Sequence, residues 1–461
     1  MTQPRKPTRR RVPDTHIGLL SDKYELTMLE GFIEAGMVDR KATFELFGRK
    51  LPAGRSYGVV AGTERAIEAI LQFRFSEGDL DYLSDFLSPN TLEYLANYSY
   101  NGNVTGYNEG DYWFPFSPIL TLNATLGEAV ILETLLLSIF NYDSAVASAA
   151  SQVTLAANGK HVMEFGSRRT SEQSAVVAAR AAYIAGFDAT SNLEAGRRYG
   201  IPVFGTSAHA FTLAFNDEKK AFTAQVKAFG TDTTLLVDTY DITEGVNNAI
   251  EVAGTKLGAV RIDSGDPFVV IPAVREQLDI LGATETKIVL SGDLDSESMK
   301  AIVEANLPVD SFGVGTSVVT GDGYPAAGFV YKLVSIEDDN GKMINVAKAA
   351  SGGKKSIGGA KTAYREFDAS WEVIGEHLIT DDSGSPIFGD WERLQALYIS
   401  NGNLVSLPQA ETARAKHTAN RKETPVSANV KSYVNDDEVW SFAPAPVEVA
   451  PETDDDEVEV V

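Results

Sequence analysis

The chain has 461 residues, of which 64 are Asp or Glu and 40 are Lys or Arg, giving a formal net charge of −24, with apolar residues at 44%. That length suits roughly two or three compact domains with a sizeable core, and so acidic a balance excludes a broad electrostatic grip on nucleic acid. The lack of cysteine excludes disulfides, zinc–thiolate sites and thiol nucleophiles.

Residues 1–13, MTQPRKPTRRRVP, carry five cations among prolines and threonines and read as a disordered basic arm. They lack the apolar stretch of a secretory signal. No apolar run further along reaches the length of a membrane span. A cytoplasmic protein without membrane contact is therefore expected. Residues 14–117 mix helical patterns (LTMLEGFIEAG, TERAIEAILQF) with short strands (KATFELFGR, SYGVVAG), which predicts an N-terminal α+β domain. The stretch ATLGEAVILETLLLSIFNYDSAVASAA has apolar residues at helical spacing and predicts two helices joined near Asn141.

Residues 118–335 are expected to form a catalytic β/α barrel. Seven short apolar runs follow one another there: HVMEFGSR, GFDATSN, IPVFGTSAH, TLLVDTYD, GAVRIDSGD, KIVLSGDLD and DSFGVGTSV. Helical stretches such as SEQSAVVAARAAYIAG separate most of them, the first preceded by a capping-box pattern at Thr170–Gln173. Repeated βα units give a parallel sheet. Their spacing, with no GxGxxG opening the series, suits a barrel better than an open dinucleotide-binding sheet. Residues 336–432 turn strand-rich, with GGKKSIGGAK as a glycine-punctuated hairpin or loop, and are expected to pack back on the α+β domain. Residues 433–461 read as an acidic disordered tail; ten acids lie from Asp436 onward, which leaves −14 for the rest of the chain.

Each apolar run in the middle section ends in polar or glycine residues. In a β/α barrel all strand C-termini share one rim, so these ends converge on a single mouth. Alternation along a strand points Arg261 and Asp263 of RIDSGD to one side, where they could hold a phosphate and a sugar hydroxyl or form an internal ion pair. LSGDLD and FGVGTS look like barrel loops that cradle a phosphate with backbone N–H groups, with Gly292, Gly313 and Gly315 allowing close approach. His209 ends an apolar run in GTSAH; it could be a base, a nucleophile that accepts a phosphoryl group, or a core histidine satisfied by backbone.

Ten blocks in order, from about residue 17 to about residue 370, resemble the nicotinate phosphoribosyltransferase family: LLSDKYELTM, FELFGRKLPAGRSYGVVAG, LETLLLSIFNYDSAVASAA, EFGSRRT, GFDATSN, GTSAHAF, RIDSGD, SGDLD, FGVGTSVVT and YKLV. The resemblance implies an α/β fold, an irregular β/α barrel with a flanking α+β domain built from both chain ends. It implies an enzyme that joins nicotinate to phosphoribosyl pyrophosphate, with Mg²⁺ and with ATP as a co-substrate. Carried over by motif, His209 resembles the histidine that ATP phosphorylates. Tyr24 and Phe165 resemble the aromatic pair around the pyridine ring, Tyr24 coming from the partner subunit of a homodimer with shared sites. Arg168, Thr206 and Arg261 resemble contacts to nicotinate or phosphates, and Asp263 the acceptor of a ribose hydroxyl. Gly292, Asp293, Gly313, Gly315 and Thr316 resemble the 5′-phosphate loops, and Arg49, Lys348 and Lys355 ligands of diphosphate or ATP phosphates. The other readings are a sister enzyme that uses nicotinamide or quinolinate, and a catalytically silent nucleotide-binding barrel that regulates a partner. Asp188, which could accept from an amide, is expected to turn away from the ring or to pair with an arginine.

Overall fold

The computed structural model describes residues 16–348, 356–380 and 391–442. The expected basic arm, Lys355 and the end of the acidic tail lie outside the described residues. Among the described residues no helix is long and apolar enough to cross a membrane.

Six short parallel strands form the central sheet: β1 (His161–Glu164), β2 (Ala189–Thr190), β3 (Thr234–Leu236), β4 (Ala259–Ile262), β5 (Lys287–Ser291) and β6 (Ser311–Val314). Their order is β2-β1-β6-β5-β4-β3. Most of their residues are buried, because both faces are covered, one by helices and one by the barrel interior. The third expected run, at 201–209, gives only a bridge from Val203 to Thr190. Among the described residues no ladder joins it to β3, so the sheet curls as an incomplete barrel.

The flanking domain is a seven-stranded antiparallel sheet in which the strand Lys41–Gly48 pairs with Leu120–Thr125 on one side and Phe329–Glu337 on the other. Leu120–Thr125 therefore belongs to the flanking domain, although the barrel was expected to begin at 118. Strand propensity on both sides of the Ser117–Pro118 turn looks alike, and only pairing decides membership. A five-stranded sheet follows, with Val373–Thr380 beside Val426–Val434 and a last strand at Asp437–Ser441. The strands thus run past 433, where the tail was expected to start. The apolar Val439 and half-buried Trp440 join the two cores.

The helix Glu133–Ala156 ties the two domains together. Its Leu135, Leu136, Ile139 and Phe140 enter the core of the flanking domain, while Val146, Ala147, Ala150 and Val153 enter the core of the barrel. It is one helix through Asn141, contrary to the expected joint; the break lies earlier, at Ile131–Leu132. Asn141 is accommodated because its amide pairs with the backbone of Phe329. Small residues then let another segment approach closely. The Ser144 and Ser148 hydroxyls accept from the Ala61 and Val59 N–H groups, which supplies hydrogen bonds to a very short strand. One cap also differs from expectation. Ser171, not Thr170, caps the helix Glu172–Ile184 and accepts from Ser174 N.

Candidate active site

β1 ends at the buried Glu164, whose carboxylate accepts from Gly166 N and, at 2.6 Å, from the Thr190 hydroxyl. Burial pushes this carboxyl up from its ordinary value, and the two donors pull it back only partly. These bonds fix the turn that carries Phe165, whose N–H donates to Val314 O. The Phe165 ring stacks on Phe204 with centroids 6.4 Å apart, and the Arg261 guanidinium lies 5.4 Å from its centre. Gly313 is a buried residue of β6; a Cβ there would sit 2.4 Å from the Phe165 ring. Its task is thus to make room for the aromatic ring, where the sequence pointed to a phosphate loop.

Arg261 is the hub. Its Nε donates to Ser291 Oγ at 2.8 Å, one terminal nitrogen to Thr206 Oγ1 at 3.2 Å and the other to Asp263 Oδ1 at 2.7 Å. The Ser291 hydroxyl in turn donates to Asp263 Oδ1 at 2.5 Å. Burial raises the Asp263 carboxyl, but Ser291 and Arg261 outweigh it and hold the group below its ordinary value. Asp263 is therefore an anion at neutral pH with one oxygen engaged by these two side chains. The neighbouring loop fits against it: Gly292, at φ +99°, leaves room where a Cβ would meet Asp263 O at 2.2 Å. Asp293 and Thr316 are exposed beside it, and Ser317 Oγ ties the two loops by donating to Leu294 O at 2.6 Å.

His209 opens the helix His209–Phe215. One ring nitrogen lies 3.2 Å from Thr239 Oγ1 and the other 3.9 Å from Asp238 Oδ1. Asp238 is almost fully buried; its other oxygen accepts from Asp263 N and Ser264 Oγ, while Oδ1 has no hydrogen-bond partner among the described residues. The imidazole thus faces a carboxylate oxygen that has no hydrogen-bond partner among the described residues.

Not all polar strand ends serve the mouth. Asp241, Asp266 and Asp295 cap the helices that follow β3, β4 and β5. Asp188 stands before β2; it accepts from Val162 N at 3.0 Å and pairs with Arg414 at 2.9 Å, so it turns away from the Phe165 ring as expected. Arg168 is exposed on the turn Ser167–Arg169 without a partner among the described residues. Tyr24 and Lys348 do not join this group within one chain. Tyr24 sits beside Glu133 and Thr134 and is 46% exposed. Arg49 follows the strand Lys41–Gly48, and Lys348 is exposed with its N–H on Ser356 Oγ. Sequence reasoning placed Asp238, Thr239 and Ser291 among the strand ends that converge on the mouth without giving them a role, and it passed over Phe204. Their shared signal was position within two or three residues of a strand end.

Comparison with known proteins matches residues 19–141 to the nicotinate phosphoribosyltransferase N-terminal domain and residues 160–373 to the nicotinate phosphoribosyltransferase family. The chain is 50% identical to nicotinate phosphoribosyltransferase pncB1 of Mycobacterium tuberculosis over 86% of its own length and 88% of that protein's. It is 40% identical to the nicotinate phosphoribosyltransferase of Bacillus subtilis, over 77% and 74%. Among solved structures it superposes on a nicotinate-nucleotide pyrophosphorylase from Pyrococcus furiosus with a TM-score of 0.73 at 26% identity, covering 91% of this chain and 98% of that one. Human nicotinic acid phosphoribosyltransferase shares the fold, with a TM-score of 0.74 at 24% identity over 90% and 97%.

Proposed function

The chain belongs to the nicotinate phosphoribosyltransferase family, and on that premise we propose how its barrel mouth joins nicotinate to phosphoribosyl pyrophosphate for NAD salvage. The observation that carries this reading is the Arg261 hub. One guanidinium lies over the Phe165 ring and also holds Asp263, so the pyridine and the ribose are bound by adjoining groups.

The pyridine nitrogen forms its bond to ribose C1 with its own lone pair as the C1–O bond to diphosphate breaks. That electron pair leaves with the diphosphate. The nucleophile carries no proton, so no strong base is needed, and catalysis consists of alignment and charge stabilisation. Phe165 packs one face of the ring. Arg261, Arg168 and Thr206 receive its carboxylate, and Asp263 accepts from a ribose hydroxyl. Gly292, Asp293, Gly315 and Thr316 surround the 5′-phosphate, and Arg49, Lys348 and Lys355 take the diphosphate or ATP phosphates. Mg²⁺ commonly takes one or two carboxylates together with substrate phosphates. Mg²⁺ would enter with the diphosphate, whose oxygens would hold it together with a carboxylate of the mouth. When bound it supplies neutralising charge for the leaving group.

ATP acts as co-substrate in this proposal. An imidazole nitrogen of His209 takes the γ-phosphoryl group as ADP leaves, and water later cleaves the P–N bond to release phosphate. The buried Asp238 carboxylate stabilises the cationic ring. The catalytic unit is a homodimer in which Tyr24 reaches the ring of the partner's site. Exposed Leu19 and Leu20 beside Tyr24, and exposed Leu213, Tyr240 and Phe268 around the mouth, support this pairing.

Arg261 and Arg168 are donors only, which suits an anionic carboxylate. Nicotinamide would face its NH₂ with donors, at about 1–3 kcal/mol for an unsatisfied buried group. With both substrates at equal concentration, nicotinate mononucleotide should dominate; an equal or larger yield of the amide product would overturn the acid preference. Mixing the protein with nicotinate, phosphoribosyl pyrophosphate, Mg²⁺ and γ-labelled ATP should give the mononucleotide, ADP and an acid-labile label. His209→Asn should lose the label and the ATP stimulation, and label that persists would remove His209 from this role.

A further inference from the structure

Beyond the mouth, one buried cation of the flanking domain reaches across to the barrel. Arg55 follows a tight turn at Pro52–Gly54 and is 9% exposed. Its guanidinium donates to Gly321 O at 3.1 Å, lies 3.8 Å from Asp322 Oδ2 and packs 5.4 Å from the centre of the Tyr324 ring.

The segment it grips has an unusual backbone. Gly321, Asp322 and Gly323 all have positive φ, at +68°, +55° and +80°. A Cβ at Gly321 would meet Tyr324 O at 2.1 Å. Three left-handed residues in a row, one of them not glycine, do not hold themselves in place; an outside contact has to select this conformation. The turn is also joined to the helix before it. Asp322 N donates to Ser317 O at 2.6 Å, and Thr320 N to Thr316 O at 3.1 Å. That helix, Thr316–Val319, is a single turn, too short to be stable alone. Its position comes from these bonds, from Tyr142 OH on Val319 O, and from Ser317 Oγ on Leu294 O.

We propose that Arg55 is a positioning residue for the phosphoribosyl donor: by fixing the turn at 321–324 it sets where Thr316 and Gly315 stand. The inference rests on the assignment of the 5′-phosphate to Gly315 and Thr316. Among the described residues the Arg55 side chain makes its hydrogen bond, ion pair and ring contact with Gly321, Asp322 and Tyr324 and not with Phe165, Thr206 or Arg261.

The test separates the two substrates. Arg55→Gln should raise KM for phosphoribosyl pyrophosphate about five- to twentyfold and KM for nicotinate by less than about twofold, since coupling through a packed loop is worth roughly 1–2 kcal/mol. Arg55→Lys, which can still donate to Gly321 O and pair with Asp322, should recover most of the loss. A purely structural Arg55 would lower Tm and move neither KM selectively, which overturns the proposal. Should Arg55→Gln fail to fold, Asp322→Asn at the rim of the same contact should raise the donor KM about two- to fivefold, and an unchanged KM there overturns it equally. Thr316→Val tests the underlying assignment. If it leaves the donor KM unchanged, the phosphate does not sit at this helix and both readings fall. If it raises that KM while Arg55→Gln does not, only the role of Arg55 falls.

Discussion

The seam between the domains and the mouth of the barrel both bring arginines against carboxylates, and they do so in opposite ways. At the seam, Arg180 pairs with Glu109 at 2.8 and 2.5 Å and with Glu64 at 2.6 Å, and Glu109 also accepts from Gly62 N. Arg365 holds Glu376, which also accepts from Tyr107 and Ser117, and Lys361 meets Glu45 with both its N–H and its ammonium group. Glu109, Glu376 and Glu45 are buried there and each accepts from at least two donors, while the part-buried Glu64 meets only Arg180. At the mouth, Arg168 is exposed without a partner among the described residues and Asp238 keeps one oxygen unbonded. Buried carboxylates saturated with donors hold the architecture; groups left partly engaged at an open rim have capacity for a substrate.

Removing one partner from a saturated pair should break the fold and leave the chemistry alone. Arg180→Met strands Glu109 and Glu64 and should cost about 3–5 kcal/mol in denaturant unfolding, with activity per folded molecule retained. Activity lost at unchanged stability would place the seam in the machinery. The mouth should respond in reverse. Asp263→Asn should lower kcat/KM about a hundredfold, or ~2.7 kcal/mol, by steady-state kinetics.

A third test lies between the two regions. Glu25 is buried next to Tyr24 and accepts from Thr134 N at 2.6 Å and Asp22 N at 3.0 Å. Burial pushes its carboxyl up to about 7 against those bonds. The folded state then binds this proton more tightly than the unfolded chain. Stability from this group is fully present below pH 4.5 and is lost as pH rises towards 7, by on the order of 2 kcal/mol. Glu25→Gln should flatten that slope in unfolding measured from pH 5 to 7.5; an unchanged slope would assign it elsewhere. The smallest effect belongs to Ser291→Ala, which removes one hydroxyl shared by Arg261 and Asp263. It should cost about tenfold in kcat/KM, the worth of one such bond, with Tm nearly unchanged.

The same contrast explains what the sequence could convey. The parallel strands were legible because most are short, largely buried apolar stretches, and Phe165, Arg261 and Asp263 because they lie in or directly after those stretches; His209 ends the run that formed no ladder. The third run was also read as a strand, yet only Val203 pairs, and nothing in IPVFGTSAH records the missing neighbour. Capping and catalysis draw on the same residue type at the same place. Asp241, Asp266 and Asp295 therefore could not be told from Asp238 without coordinates. Gly313 misled for a related reason: a glycine that admits a side chain looks like one that admits a phosphate. Arg55 was invisible, since its partners lie more than 260 positions away.

The most direct test of the account is the initial rate of mononucleotide formation by Arg261→Lys, expressed per folded molecule. Lysine keeps the charge but cannot reach Ser291, Thr206 and Asp263 together from one planar group. The rate should fall at least about a hundredfold with Tm within about 3 °C of the parent. A near-parental rate, or a loss that only follows the loss of folded protein, would contradict the claim that this arginine joins the two halves of the site.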